Sequence, residues 1–307
     1  MKKKRKLLQK LNSIVRKARV PKYINKSNKG PKIYTARQHV KCLLLRQKHK
    51  CTYEELVEDY LPYYFSDIPE RSTLIKFANR LPVSLWNSIL SASGEDECNL
   101  AAIDSTGISR TSASHYYLHR IDSDNPVKRH IKLSLMINVE KRKFLSARIR
   151  AYPVHDTRDV RYLIRNSCVI PDTTLMDKGY DDNNIHAFMR DRGICSVIPA
   201  RKGCVRGCYR KEMRDYFDYR LYWQRNIVET LISCLKRKYG TSVSSKNIRS
   251  QRADLYCRMI LYNVFLFIVI YFHQSHTLRY VFIRLHYHLS LHPLPQLTQL
   301  FSFHKSF

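Results

Sequence analysis

Apolar positions change their spacing along the chain, and each change predicts a different element type. Across residues 35–90 the spacing is helical. Val40, Leu43, Leu44 and Gln47 keep a period of about 3.6, and Thr52-Tyr-Glu-Glu55 reads as a capping box opening a second helix through Leu56, Val57 and Tyr60. Pro69 precedes a third helix over residues 72–81, with Ser72 or Thr73 as its cap. From about residue 98 short apolar runs take over. Residues 99–103 predict a strand ending at Asp104, residues 131–139 a loosely alternating strand, residues 141–143 a turn and residues 144–151 the return strand. A helix over 159–166, a strand over 173–176 ending at Asp177, a helix over 183–192 and a strand over 195–199 follow. The order β-β-β-α-β-α-β predicts an α/β fold, a mixed sheet flanked by helices.

Residues 222–238 (YWQRNIVETLISCLKRK) predict a helix with two faces. At roughly 100° per residue, Tyr222, Arg225, Glu229 and Lys236 share a stripe about 60° wide, while Ile227, Val228, Leu231 and Leu235 gather opposite as an anchoring face. An i,i+4 ion pair between Arg225 and Glu229 would account for part of that stripe without any chemistry.

Charge narrows the reading. The 307 residues carry 55 Lys+Arg against 25 Asp+Glu, a formal net charge of +30. The first 50 residues hold 18 Lys/Arg and no acid, Glu54 being the first. Such an excess repels itself unless a polyanion is the partner, which makes nucleic acid the leading candidate and an anionic membrane surface the second. Short helices on so basic a chain permit a helix-turn-helix-like DNA reader or a plain helical packing domain. The 8 glycines form no phosphate-cradling motif, so a nucleotide-binding loop is not expected. The apolar run Met259–Phe272 is shorter than the roughly 20 residues a spanning helix needs, and reads as a buried helix. The start MKKKRK lacks the apolar core of a secretory leader, so free thiols and a cytoplasmic, DNA-associated protein are expected. Cys195, Cys204 and Cys208 have half the spacing of a zinc site, with no second pair to complete it.

Asp104 and Asp177 stand where two predicted strands end, the edge on which α/β sheets build sites, though Asp also caps turns there. Glu229 is the only acid between Asp218 and Asp254. Three carboxylates from separated positions in a basic chain suit phosphodiester cleavage with two Mg²⁺, which needs hard oxygen ligands around ions about 3.5–4 Å apart. Tyr222, Arg225 and Lys236 would hold the substrate phosphates. His155 and Asp156 read either as supports of the ligands or as loop caps. Lys178 and Tyr180 either touch DNA or finish the strand, and Asp181 and Asp182 read as caps of the next helix.

The run Tyr222-x2-Arg225-x3-Glu229-x6-Lys236 matches the Tyr–Arg–Glu–Lys motif of the insertion-sequence DDE transposases without a gap. IDSTG around Asp104, PVHDTRD around His155 and Asp156, MDKGYDD around Asp177 and STLIKFANRL in the N-terminal region also resemble that family's blocks. The likeness spans residues 35–270. It implies a ribonuclease-H-like fold and a metal triad of Asp104, Asp177 and Glu229 carrying two Mg²⁺ ions, or Mn²⁺ in their place. Tyr222, Arg225, Lys236, Lys178 and Tyr180 would be DNA contacts. The implied partners are double-stranded DNA, as element ends and target, and a second copy of the chain, with no membrane. The implied reaction is cleavage at element ends followed by joining of the 3′-hydroxyl to target DNA. The interval from Asp177 to Glu229 is 229 − 177 = 52 residues, too short for the large β insertion of some relatives. The expected organisation is a basic flexible arm (1–34), a helical DNA-binding region (35–95), a catalytic domain (96–272) and a tail (273–307) resembling no block of the family. A Mg²⁺-dependent nuclease on the same fold and a non-catalytic DNA-binding remnant are the rival readings.

Overall fold

The computed structural model describes residues 2–24, 33–94, 96–110, 120, 130–203 and 206–275. The chain divides into a unit from Met1 to Val264 and one from Phe265 to Phe307. The described part of the second is the end of the closing helix, and the tail from residue 276 on lies outside the described residues.

At the centre of the first unit is a five-stranded mixed sheet. Strands β1 (Leu100–Ser109), β2 (His130–Asn138) and β3 (Lys143–Arg150) form an antiparallel meander, while β4 (Thr173–Met176) and β5 (Cys195–Val197) add in parallel on the other side of β1. The order is β3-β2-β1-β4-β5. It is an α/β arrangement compatible with the ribonuclease-H-like fold that the resemblance implies. Eight of the nine β2 residues are buried. Both faces of the strand are covered, so the weak alternation in its sequence follows from its central place. Helices Thr157–Arg165 and Asn183–Arg190 supply Val160, Leu163, Ile164, Ile185, Phe188 and Met189 to a core shared with Ala101, Ile103, Met136 and Met176 of the sheet.

The outer edge of the sheet is closed by side chains. The helix Val83–Ser93, within the stretch expected to be helical but not delimited there, offers Asn87 Oδ1 to the Ala147 N–H at 3.1 Å and Ser91 Oγ to the Leu145 carbonyl at 2.9 Å. The long helix Ile248–Ser275 offers the Tyr256 hydroxyl to the Ala147 carbonyl at 2.8 Å, and its Asn263 both accepts from and donates to the Phe144 backbone. An edge strand's open N–H and C=O groups invite another chain, and here they are satisfied internally. Among the described residues no helix is long and apolar enough to cross a membrane.

The N-terminal region is helical and longer than expected. Residues Lys2–Lys17, expected in a flexible arm, form a helix. Its Leu7, Leu11, Ile14 and Val15 are buried, an i, i+4, i+7 stripe that the surrounding lysines mask in the sequence. The polar stretch at residues 25–32 lies outside the described residues. Ala36–His49 is capped by Thr35, and the Thr52–Glu55 capping box forms in both directions. The helix it opens widens to a π-turn over Leu56–Tyr60 before Pro62. The helix Arg71–Arg80 starts after Glu70, so neither Ser72 nor Thr73 caps it.

Because Leu11 is fully buried, Leu11→Ala should lower unfolding stability by about 2–5 kcal/mol in urea titrations. A passive arm would show no change.

Candidate active site

The register of the sheet sets the first two acids. The parallel β1–β4 ladder ends with Ile103 opposite Met176, so Asp104 and Asp177 each directly follow one member of that last pair. Asp104 is not at a strand end, as the sequence suggests. β1 runs on to Ser109, paired with β2 throughout, and it is β4 that stops. This difference decides their exposure: Asp104 is half-buried inside a strand, while Asp177 is exposed and accepts from the Lys178 N–H at 2.7 Å as the cap of a short 3-10 turn.

The third acid comes from a helix packed on β1. The single helix expected over 222–238 is two. Tyr219–Trp223 is capped by Asp218, a tight turn passes through Gln224 and Arg225, and a second helix runs over Asn226–Tyr239. Val228, Leu231, Ile232 and Leu235 are buried, while Ile227 is only half-buried. The turn leaves Tyr222 on the first helix and puts Arg225 where the second begins. From there the Arg225 guanidinium donates to Glu229 Oε1 at 2.6 Å and reaches Asp104 Oδ2 at 3.4 Å. Arg225 is thus an ion-pair partner of both acids, and its side chain is 14% exposed.

Burial is the main cause that pushes the Asp104 carboxyl above the usual carboxylate range. The Ser105 N–H and Arg225 oppose it, and the negative charges of Glu229 and Asp177 add to it. Tyr222 is likewise raised, first by burial, and the charges of Asp177 and Asp104 contribute. These couplings tie Asp104, Asp177, Glu229, Arg225 and Tyr222 into one electrostatic unit.

Behind Asp104, Asp156 takes the supporting one of its two expected roles, with a lysine that the sequence alone does not bring in. Asp156 accepts from Ser105 Oγ at 2.7 Å and pairs with Lys132 Nζ at 2.6 Å. Lys132 also reaches Asp159, which is buried and is met by Arg148 and Arg150. Asp156 therefore supports the residue next to Asp104, while His155 bonds locally to Thr157 Oγ1 at 2.8 Å. The available signal was a lysine inside an otherwise apolar strand. Lys236 donates to Thr106 Oγ1 on β1 at 2.7 Å, so it braces its helix against the sheet one step from the acids.

Three expectations are corrected or refined. Tyr180 cannot contact DNA as expected: it is 2% exposed, part of the core beneath Asp104. Lys178, two residues earlier, is exposed. Asp182 caps the next helix by accepting from Asn184 N–H, but Asp181 does not. It is buried in a two-pronged pair with Arg210 at 2.8 and 2.7 Å. Cys204 lies outside the described residues, and Cys195 and Cys208 are free and exposed. Among the described residues no three His, Cys, Asp or Glu side chains are gathered closely enough to clasp one ion. At the acids the guanidinium of Arg225 spans Asp104 and Glu229.

Comparison with known proteins adds the following. The family model described as "Transposase DDE domain" matches residues 99–264, more than half of the chain. Among solved structures, the chain is similar to a piggyBac transposase in a cryo-EM synaptic complex with hairpin DNA. The TM-score is 0.40 and the identity 11%, over 84% of this chain and 72% of that one. No curated protein matches.

The Asp156 pairing has a pH signature. Burial would raise this carboxyl, but hydrogen bonds from Lys132 and Ser105 overcome it and hold the group below its usual range. A depressed carboxylate contributes stability above its unfolded value, about 3.9, and loses it as pH falls through the folded one. Asp156→Asn should therefore be less stable than the native chain at pH 6–7, with the gap closing toward pH 3 in denaturation curves. A gap that stays constant with pH would count against the pairing.

Proposed function

The chain belongs to the DDE transposase-domain family, and from that premise we propose that it is a DNA transposase acting on the ends of its own element. Asp104, Asp177 and Glu229 would serve as the acids that hold its divalent metal ions. The observation that carries the reading is the convergence of Asp104 and Asp177 by strand register with Glu229 through Arg225.

The donor set suits the group. All three acids offer hard carboxylate oxygens, the chemistry that Mg²⁺ and Mn²⁺ select. The upward push on the Asp104 carboxyl comes from burial and from neighbouring acids, and added positive charge would relieve it. When bound, two divalent ions would supply Lewis-acid activation of the attacking and leaving oxygens. The chain's own residues do the rest. Tyr222, whose ring centre lies 5.9 Å from the Arg225 guanidinium, and Arg225 would stand where a scissile phosphate lies against Asp104. Exposed Lys178 extends the cationic rim on the β4 side, and Lys236 keeps the Glu229 helix seated on β1. In the first step a water oxygen bonds to phosphorus as the P–O3′ bond breaks, leaving a 3′-hydroxyl. In the second that hydroxyl attacks a target phosphodiester and displaces its 3′ oxygen.

The net charge of +30 supports double-stranded DNA as partner for both steps. The N-terminal helices Ala36–His49 and Arg71–Arg80 are the region we assign to element ends, in a helix-turn-helix-like role. Joining two ends calls for two copies of the chain, so a homodimer is part of the proposal.

Asp104→Ala, Asp177→Ala and Glu229→Ala should each abolish Mg²⁺- or Mn²⁺-dependent nicking of end-containing DNA while retaining binding in gel-shift assays. Continued turnover in any one would remove that residue from the triad. Pre-cleaved ends should be joined to target DNA by the native chain, whereas cleavage without joining would make it a nuclease. Lys236→Ala should weaken end binding, and if Lys236 also meets a phosphate the salt slope should fall by about 1. An unchanged slope would confine it to bracing β1.

A further inference from the structure

The acids already have a cation. Arg225 donates from Nη2 to Glu229 at 2.6 Å and from Nη1 to Asp104 at 3.4 Å, so one guanidinium spans two of the three carboxylates assigned above to metal. The two contacts are unequal. The Glu229 bond is short and belongs to a favourable i,i+4 pair, while the Asp104 contact sits at the long limit of a hydrogen bond. Nε is buried and without a hydrogen-bond partner among the described residues, so the head group is anchored through its two terminal nitrogens. Of the cations on the elements around the site, Lys236 is engaged with Thr106 and Lys132 with Asp156.

A guanidinium cannot lose its proton in a protein, so it cannot give way to an incoming ion by neutralising itself. It must move. A divalent ion bound to the same oxygens would face a fixed positive charge within contact distance, and the arm that can yield is the long one to Asp104.

We propose that Arg225 is a placeholder cation: in the ion-free protein it neutralises Asp104 and Glu229, and ion loading displaces it from Asp104 while the Glu229 bond retains it. The released arm then points where the substrate phosphate enters. Ion binding and phosphate capture are thereby coupled through one side chain, and coupling of this kind is reciprocal: phosphate that draws Arg225 away from Asp104 favours the ion. The inference rests on the metal assignment of the preceding subsection.

Titration calorimetry of the full chain with MnCl₂, with thermal melts in its presence and absence, separates the two. Arg225→Gln removes the competing charge. It should bind Mn²⁺ about 5–10-fold more tightly than the native chain, a difference of the size expected for one unit charge near a partly screened site. Without ion it should melt lower, and saturating Mn²⁺ should raise its melting temperature more than that of the native chain. Arg225→Lys keeps the charge but not the two-armed reach, and should fall between. Asp104→Asn should abolish the high-affinity Mn²⁺ site. If it binds Mn²⁺ as the native chain does, the metal assignment itself fails. If Asp104→Asn abolishes binding but Arg225→Gln binds Mn²⁺ equally or more weakly, the metal assignment stands and the placeholder role is overturned. Should Arg225→Gln lose its native circular dichroism, Arg225→Lys decides, and equal or weaker affinity there overturns the proposal.

Discussion

Carboxylates lose solvation when buried and repel one another when brought close, and the centre of this sheet must satisfy both conditions at once. It does so by alternating acids with donors. From Glu229 the contacts run to Arg225, to Asp104 and to the Ser105 backbone, then through the Ser105 hydroxyl to Asp156, to Lys132, and to Asp159 with its Arg148 and Arg150. Each charge along this path has a partner of opposite sign or a hydrogen-bond donor, and the path crosses from a helix to β1, to β2 and to the following helix. Asp104 and Glu229 are therefore held as part of a frame that ties several elements together.

The frame is rigid where precision matters. β2 is buried over all but its first residue and pairs with β1 along its length, and Lys236 fastens the Glu229 helix to β1. At the far edge, Asn87, Ser91, Tyr256 and Asn263 take up the open backbone groups of β3. By contrast Asp177 stands on an exposed turn where β4 has ended, and it accepts locally from the Lys178 N–H.

The excess of positive charge is compatible with folding because cations such as Arg46 and Lys132 that are buried have acid partners, and others lie on surfaces. The first helix shows how: a narrow apolar stripe of Leu7, Leu11, Ile14 and Val15 is buried while Arg5, Lys6, Arg16 and Lys17 are exposed. Snorkelling of long cationic side chains over such stripes allows a chain of net charge +30 to bury a full core. The same property makes the stripe easy to overlook, since charge dominates the local composition.

Residue order alone determined the succession of strands and helices in the sheet, the Thr52–Glu55 capping box and the pairing of Arg225 with Glu229, because these depend on local periodicity, short-range hydrogen bonds and one turn of helix. It also marked Asp104 and Asp177 as neighbours of strand termini. Tertiary structure decided that β1 continues past Asp104 while β4 stops, because strand length is set by which partner continues beside it. It decided that Tyr180 is core, that the helix carrying Glu229 breaks at Gln224 and Arg225, and that Asp156 and Lys132 stand behind Asp104. Each of these follows from contacts between residues far apart in the chain, where packing and the need to pair buried charge override local preference.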